Sequence, residues 1–198
     1  ANKLVKDDAT RQKWNEAIAK QYPSDYRALN NMAQQAISKG DMAAAQNYLK
    51  QAANVNKNAS EVNTNLALMA LKSGDVAKAE TYLSKGTGSD TFKEVMGNLN
   101  IAKGNYTQAA SDLAGVNTNS AALAQILAKD YTSAKTTLSK IKNADATTSY
   151  LQAVLAARTG DSSALSSSLK NAIQQDGTLA ARAAKDLEFA KYANVVKN

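Results

Sequence analysis

The side chains that carry most enzymatic chemistry are missing from this sequence. It has no histidine, which removes the commonest general base and metal ligand together, and no cysteine, which removes disulfides, thiol nucleophiles and zinc-thiolate sites. Without cysteine, the redox compartment cannot be read. Carboxylates are the remaining candidates for acid-base work. They stand close together at Asp7-Asp8 and again at Asp186 and Glu188, but both groups lie in terminal segments, where solvated charge is the ordinary explanation. A Gly-Asp pair recurs at Gly40-Asp41, Gly74-Asp75 and Gly160-Asp161. One acid per turn with no ligand cluster speaks against calcium or phosphate and for turn chemistry. The chain is therefore read as a non-enzyme with no catalytic residues, no metal and no cofactor.

The elements that would position any binding residue are helical. Apolar residues make up 44 % of the chain but aromatics only 6 %, and the apolar share is rich in alanine. That suits helices packed closely through small side chains better than a sheet of β-branched strands. A single proline, Pro23, and glycines placed between the apolar runs punctuate those helices. No run of about 18 apolar residues exists to span a membrane, and the first residues lack a signal-type apolar core.

A net charge of +7 raises the question of nucleic acid. The lysines are scattered along the chain, most beside Asp, Asn, Ser or Thr, and are not clustered with aromatics that could stack bases. A solvated lysine-rich surface explains them, and no nucleic-acid partner is expected.

The organising signal is recurrence. "SKGDMAAAQNYL" at 38–49 returns as "KSGDVAKAETYL" at 72–83, with Gly40 and Gly74 one 34-residue period apart. Before Gly40, Leu29, Met32, Ala33 and Ala36 recur at helical spacing; after it, Met42, Ala45, Leu49 and Ala52 form a second apolar stripe. Each period is a helical hairpin. The second period repeats the pattern with Leu66, Ala67, Ala70, Val76, Ala79 and Leu83, and the third with Met96, Gly97, Tyr106, Ala109 and Leu113 around Gly104-Asn105. From Gly74 to Gly104 the period falls to 30 residues, a loss expected in the "GTGSDTF" loop.

These residues resemble the tetratricopeptide repeat (TPR) family. Its small, alanine and bulky positions are matched by Ala33, Ala45 and Leu49, by Ala67, Ala79 and Leu83, by Gly97, Ala109 and Leu113, and by Ala153 and Leu169 around Gly160. Leu165 stands where alanine is usual, so packing there should differ. A fourth, degenerate repeat has Lys129-Asp130-Tyr131 for a turn and either Ala122 or Ala124 as its small residue. The resemblance implies an all-α, right-handed superhelical stack of about five hairpins over 25–176. Residues 1–24 form an N-terminal helix with Trp14, Ala17 and Ile18 on one face, either a cap or the remnant of a preceding repeat. Residues 177–198 form a C-terminal capping helix and tail.

As a family, TPR arrays bind a peptide or partner helix in a groove lined by the first helix of each hairpin. Carried onto this chain, the groove positions are Asn30, Gln34 and Ile37, then Thr64, Leu68 and Leu71, then Glu94, Asn98 and Ile101, and later Tyr150 and Val154. Asn31 and Asn65 occupy equivalent places one repeat apart, to bond either a ligand backbone or the next helix. Asn30 and Thr64 stand where chaperone-binding members have a clamp lysine, so an acidic terminal peptide is a poor candidate, and an extended segment or amphipathic helix a better one. The resemblance thus implies a monomeric protein-interaction scaffold with a protein or peptide partner. The Asn, Ser, Thr and Lys-rich surface further resembles the TPR regions of bacterial envelope proteins, which places the chain in the periplasm or envelope, with the cytoplasm as the alternative.

Overall fold

The computed structural model describes residues 7–196, and among these every regular element is helical. By internal contacts the chain divides into residues 1–103 and 104–198. The first unit holds α1 (Asp8–Gln21), α2 (Tyr26–Ser38), α3 (Met42–Val55), α4 (Ser60–Lys72), α5 (Val76–Leu83) and α6 (Asp90–Ala102). The second holds α7 (Tyr106–Asp112), α8 (Asn119–Leu127), α9 (Tyr131–Lys140), α10 (Ala146–Thr159), α11 (Ser162–Gln175), the short α12 (Leu179–Ala183), a 3-10 turn over Leu187–Tyr192, and α13 (Ala193–Val196).

The Gly-Asp pair works as a punctuation mark with two halves. Gly40 adopts a left-handed φ of 79°, ending α2 with an Asp41 N–H bond to the Ala36 carbonyl at 2.9 Å. The Asp41 carboxylate then accepts the Ala44 N–H at 3.0 Å and starts α3. The same division of labour holds at Gly74-Asp75 and Gly160-Asp161. In the fourth turn Lys129 takes the glycine's place at φ 64°, while Asp130 bonds back to the Gln125 carbonyl and caps α9. With Lys129 as the turn residue, the small residue seven positions earlier is Ala122, as Ala33, Ala67 and Ala153 are in their repeats, which fixes the register left open above.

The hairpins close through small side chains. Ala33, Ala45, Ala67 and Ala79 are fully buried, with Leu49 and Leu83 filling the space towards the following hairpin. Leu165 occupies the alanine position of the last hairpin and is itself fully buried, against Ala153 and the α10 cluster. The four residues lost between the second and third repeats are accounted for: α5 has 8 residues where α3 has 14, while the connection after it is longer, at 84–89 against 56–59. The loss falls chiefly on the helix end rather than on the loop. At Gly86 a Cβ would meet the Phe92 ring at 2.5 Å, so the absence of a side chain there lets α6 close over the connection.

Both ends differ from expectation. In α1, Asn15 is buried, Ile18 half-buried and Ala17 exposed, while Trp14 is 51 % exposed; the face turned towards α2 is one position round from the one the apolar residues mark. The C-terminal segment is broken into α12, the 3-10 turn and α13. Asp186 causes the break: its carboxylate accepts the Glu188 N–H at 3.0 Å and the Tyr150 hydroxyl at 2.6 Å, which opens a new start and places Phe189 in the core.

Candidate functional site

Counting back from each turn residue gives the face that the first helices share. Positions ten and six before the turn are Asn30 and Gln34 in the first repeat, Thr64 and Leu68 in the second, Asn119 and Leu123 in the fourth, and Tyr150 and Val154 in the fifth. All of these except Leu68 line a cavity within their unit.

In the first unit the cavity measures about 390 Å³, and Asn30, Asn31, Gln34, Thr64 and Asn65 converge on it. Gln34 is exposed and Asn31 half-buried, whereas Asn30, Thr64 and Asn65 are buried. Asn65 donates from Nδ2 to Asn30 Oδ1 at 2.9 Å, so it bonds the preceding first helix, one of the two roles open to it. That bond engages one end of each amide. The Thr64 hydroxyl donates to the Ser60 carbonyl. Arg27 and Glu61 stand at the mouth, with charges already engaged: the Arg27 guanidinium grips Asp25 at 2.9 Å through two nitrogens, holding that carboxyl below the usual range, and Glu61 accepts the Tyr26 hydroxyl. Both sit one helical turn before the predicted groove residues, so i, i+3 and i+4 spacing points to them.

Leu68 and Leu71 belong elsewhere, packed half-buried against the cluster of Ala67, Ala79 and Leu83. Ile37 on α2, and Asn98 and Ile101 on α6, are half-buried outside the amide cavity.

In the second unit the equivalent cavity exposes more apolar surface and measures about 330 Å³. Leu123, Leu127, Leu151, Val154 and Leu179 supply its apolar surface, and the charged side chains of Arg158, Arg182, Asp186 and Glu188 also line it. Tyr150, expected as an open groove residue, is only 4 % exposed. Its hydroxyl holds Asp186, its ring meets Phe189 edge-on at 5.5 Å, and the Arg182 guanidinium lies 4.9 Å over its face. Burial first, and then the bond to Asp186, push the phenol well above the usual tyrosine range. Two turns on, Arg158 pairs with Glu188 and donates to the Ile126 carbonyl at 2.9 Å. The Tyr192 hydroxyl donates to the Ala157 carbonyl at 3.1 Å. The C-terminal segment thus occupies the place a following first helix would take. Asn119 is likewise structural, binding Asp145 and Thr148 at the start of α10.

Among the described residues no group of three or more acidic side chains could hold a metal, and no helix is long and apolar enough to cross a membrane.

A tetratricopeptide repeat family model matches residues 36–95. No curated protein matches the chain. Among solved structures, a tetratricopeptide repeat protein from Parabacteroides merdae ATCC 43184 is similar at 13 % identity and a TM-score of 0.61, over 94 % of this chain and 77 % of that one. PilW, described as a widely conserved type IV pilus biogenesis factor, is similar at 17 % identity and a TM-score of 0.61, over 93 % of this chain and 88 % of its own. With the hairpins, their small-residue contacts and the shared first-helix face in place, residues 36–95 match the tetratricopeptide repeat pattern, and the fold of the chain is that of tetratricopeptide repeat proteins.

Proposed function

We propose that this chain is a non-catalytic, monomeric protein-interaction scaffold that holds an extended peptide segment against the amide-lined face of α2 and α4. The observation that carries the reading is the convergence of Asn30, Asn31, Gln34 and Asn65 on one cavity. Each Asn or Gln amide offers a donor and an acceptor side by side, the complement of a peptide group in an extended chain. The Asn65–Asn30 bond aligns two of these amides and leaves the Asn30 Nδ2 and the Asn65 Oδ1 outside it. Arg27 is neutralised by Asp25 and no lysine lines the cavity, so a terminal carboxylate or a phosphate backbone finds little to bind.

The test is a double change, Asn31→Ala with Gln34→Ala, in the full chain used to capture partners from its native cell. Both side chains are at least partly exposed, so the melting temperature should hold while partner affinity falls by about tenfold or more, since interface truncations that matter cost more than about 1 kcal/mol each. Unchanged affinity would remove this face from the reading. Sedimentation at increasing concentration checks the monomer.

A second reading concerns place. The likeness to a pilus biogenesis factor, together with a cysteine-free surface rich in Asn, Ser, Thr and Lys, supports work in the bacterial envelope, in the periplasm or as an accessory module of a larger envelope protein. Fractionation of the full-length gene product tests it, and recovery with cytoplasmic markers would overturn it.

A further inference from the structure

The second helices of the first unit build a groove of a different character. Between α3 and α5, with α4 as floor, lies a cavity of about 560 Å³ that shares no residue with the amide-lined one. Met42, Leu66, Met69 and Tyr82 supply its apolar surface, all half-buried. Methionine and tyrosine suit an adaptable contact, since a thioether can refit and a phenol combines an apolar ring with a polar tip. Around this surface stand Lys50 on α3, Lys72 at the end of α4 and Lys78 on α5. All three are exposed, and none makes an ion pair among the described residues. The single carboxylate in the lining, Asp75, already accepts the Lys78 backbone N–H as the cap of α5.

Three unpaired lysines around a recess surfaced by Met42, Leu66, Met69 and Tyr82 define the complement in charge and in shape. We propose that this groove docks an acidic amphipathic helix of a partner protein, its apolar stripe laid between α3 and α5 and its carboxylates meeting Lys50, Lys72 and Lys78. A helix packs between two helices at the interaxial distances that helices already adopt with one another, and lysine stems can lie along the apolar wall while their ammonium groups reach the flanking acids. An anionic membrane is the less suitable occupant. A bilayer is entered by apolar side chains that project, whereas the strongly exposed large hydrophobics of this unit, Trp14, Tyr22 and Val55, lie outside the groove.

The probe is a fluorescent synthetic helix with leucines at i, i+4 and i+7 and flanking glutamates, titrated against the full chain by anisotropy. A composition-matched scrambled peptide and vesicles containing anionic lipid run beside it. The proposal expects saturable binding of the amphipathic peptide and weakening by about tenfold or more in the Lys50→Glu, Lys72→Glu, Lys78→Glu variant. It also expects binding about tenfold weaker for the scrambled peptide and unchanged in the Asn31→Ala, Gln34→Ala variant. The three lysines are exposed, so circular dichroism should show the variant folded; a Lys50→Gln, Lys78→Gln variant gives the same reading without charge reversal should it not be. Equal binding of the scrambled peptide, or of the triple variant, would overturn the proposal. So would lysine-dependent capture by the vesicles without capture of the peptide, which would assign the surface to a membrane.

Discussion

The two units use the same positions to opposite ends. Ten residues before the turn, the first unit has Asn30 and Thr64, buried polar side chains that line a polar cavity; the second has Asn119, bonded to the start of α10, and Tyr150, bonded to Asp186 of the C-terminal segment, both lining a cavity with an apolar wall. Six residues before the turn, Gln34 is exposed while Leu123 and Val154 supply part of that apolar wall. The positions that hold each hairpin together do not change in this way. Ala33 with Ala45, Ala67 with Ala79 and Ala122 with Ala134 are all fully buried. Hairpin packing and surface chemistry are therefore separable in this scaffold: small residues at the close-approach sites build it, and the shared face can border a polar cavity or be covered by a neighbouring segment.

The largest expected effect tests whether the second unit is sealed. Phe189 is 2 % exposed and touches Tyr150 edge-on, so Phe189→Ala should cost about 3–5 kcal/mol through the cavity it leaves. Hydrogen exchange should then rise along α10 to α13, with α2 to α4 keeping their protection. Equal loss of protection in both units would mean that they do not unfold separately, and the comparison would fail.

A smaller effect asks whether close approach is equally tight in both. Ala79→Leu should cost about 1–3 kcal/mol by overpacking, while Lys78→Leu beside it should be nearly neutral, because Ala79 is fully buried and Lys78 exposed. The last hairpin has already accepted leucine at this position. There Leu165→Ala should cost about 2–5 kcal/mol, so adding bulk harms one hairpin and removing it harms the other. Urea denaturation of the three variants checks the pattern; a neutral Ala79→Leu would mean that the alanines mark composition and not contact.

Much of the scaffold was legible because its signals are local. A Gly-Asp pair ends one helix and starts the next with bonds made within a few residues, and alanines at fixed distances from it mark the hairpin contact, so hairpin positions could be placed from sequence. The ends were less legible because what covers them is long-range. Nothing local says that Asn15 and not Trp14 would face α2, or that Tyr150 would meet a carboxylate 36 residues away and lose its place in an open groove. The groove positions themselves could be counted off, bringing Asn30, Gln34 and Asn65 together, but whether a leucine there meets a ligand or its own core depends on neighbouring hairpins. Leu68 and Leu71 pack half-buried against the Ala67, Ala79 and Leu83 cluster.

The smallest effect lies at the turn that sequence alone could not register. Lys129 is the one non-glycine residue with positive φ among those described, at 64°, in the place that Gly40, Gly74 and Gly160 hold near 80°. A Cβ at those three glycines would meet nothing within 4 Å, so side-chain room is no obstacle in these turns and backbone conformation alone favours glycine. A left-handed L-residue costs roughly 1–2 kcal/mol, partly offset because glycine has more freedom to lose on folding. Lys129→Gly should therefore stabilise the second unit by about 0.5–1 kcal/mol, raising its melting temperature by about 2–8 °C. Gly74→Lys should show the opposite sign in the first unit, free of any steric contribution. If Lys129→Gly instead destabilises, the lysine must make a contact that outweighs its backbone strain, and the fourth turn would not be the equivalent of the glycine turns.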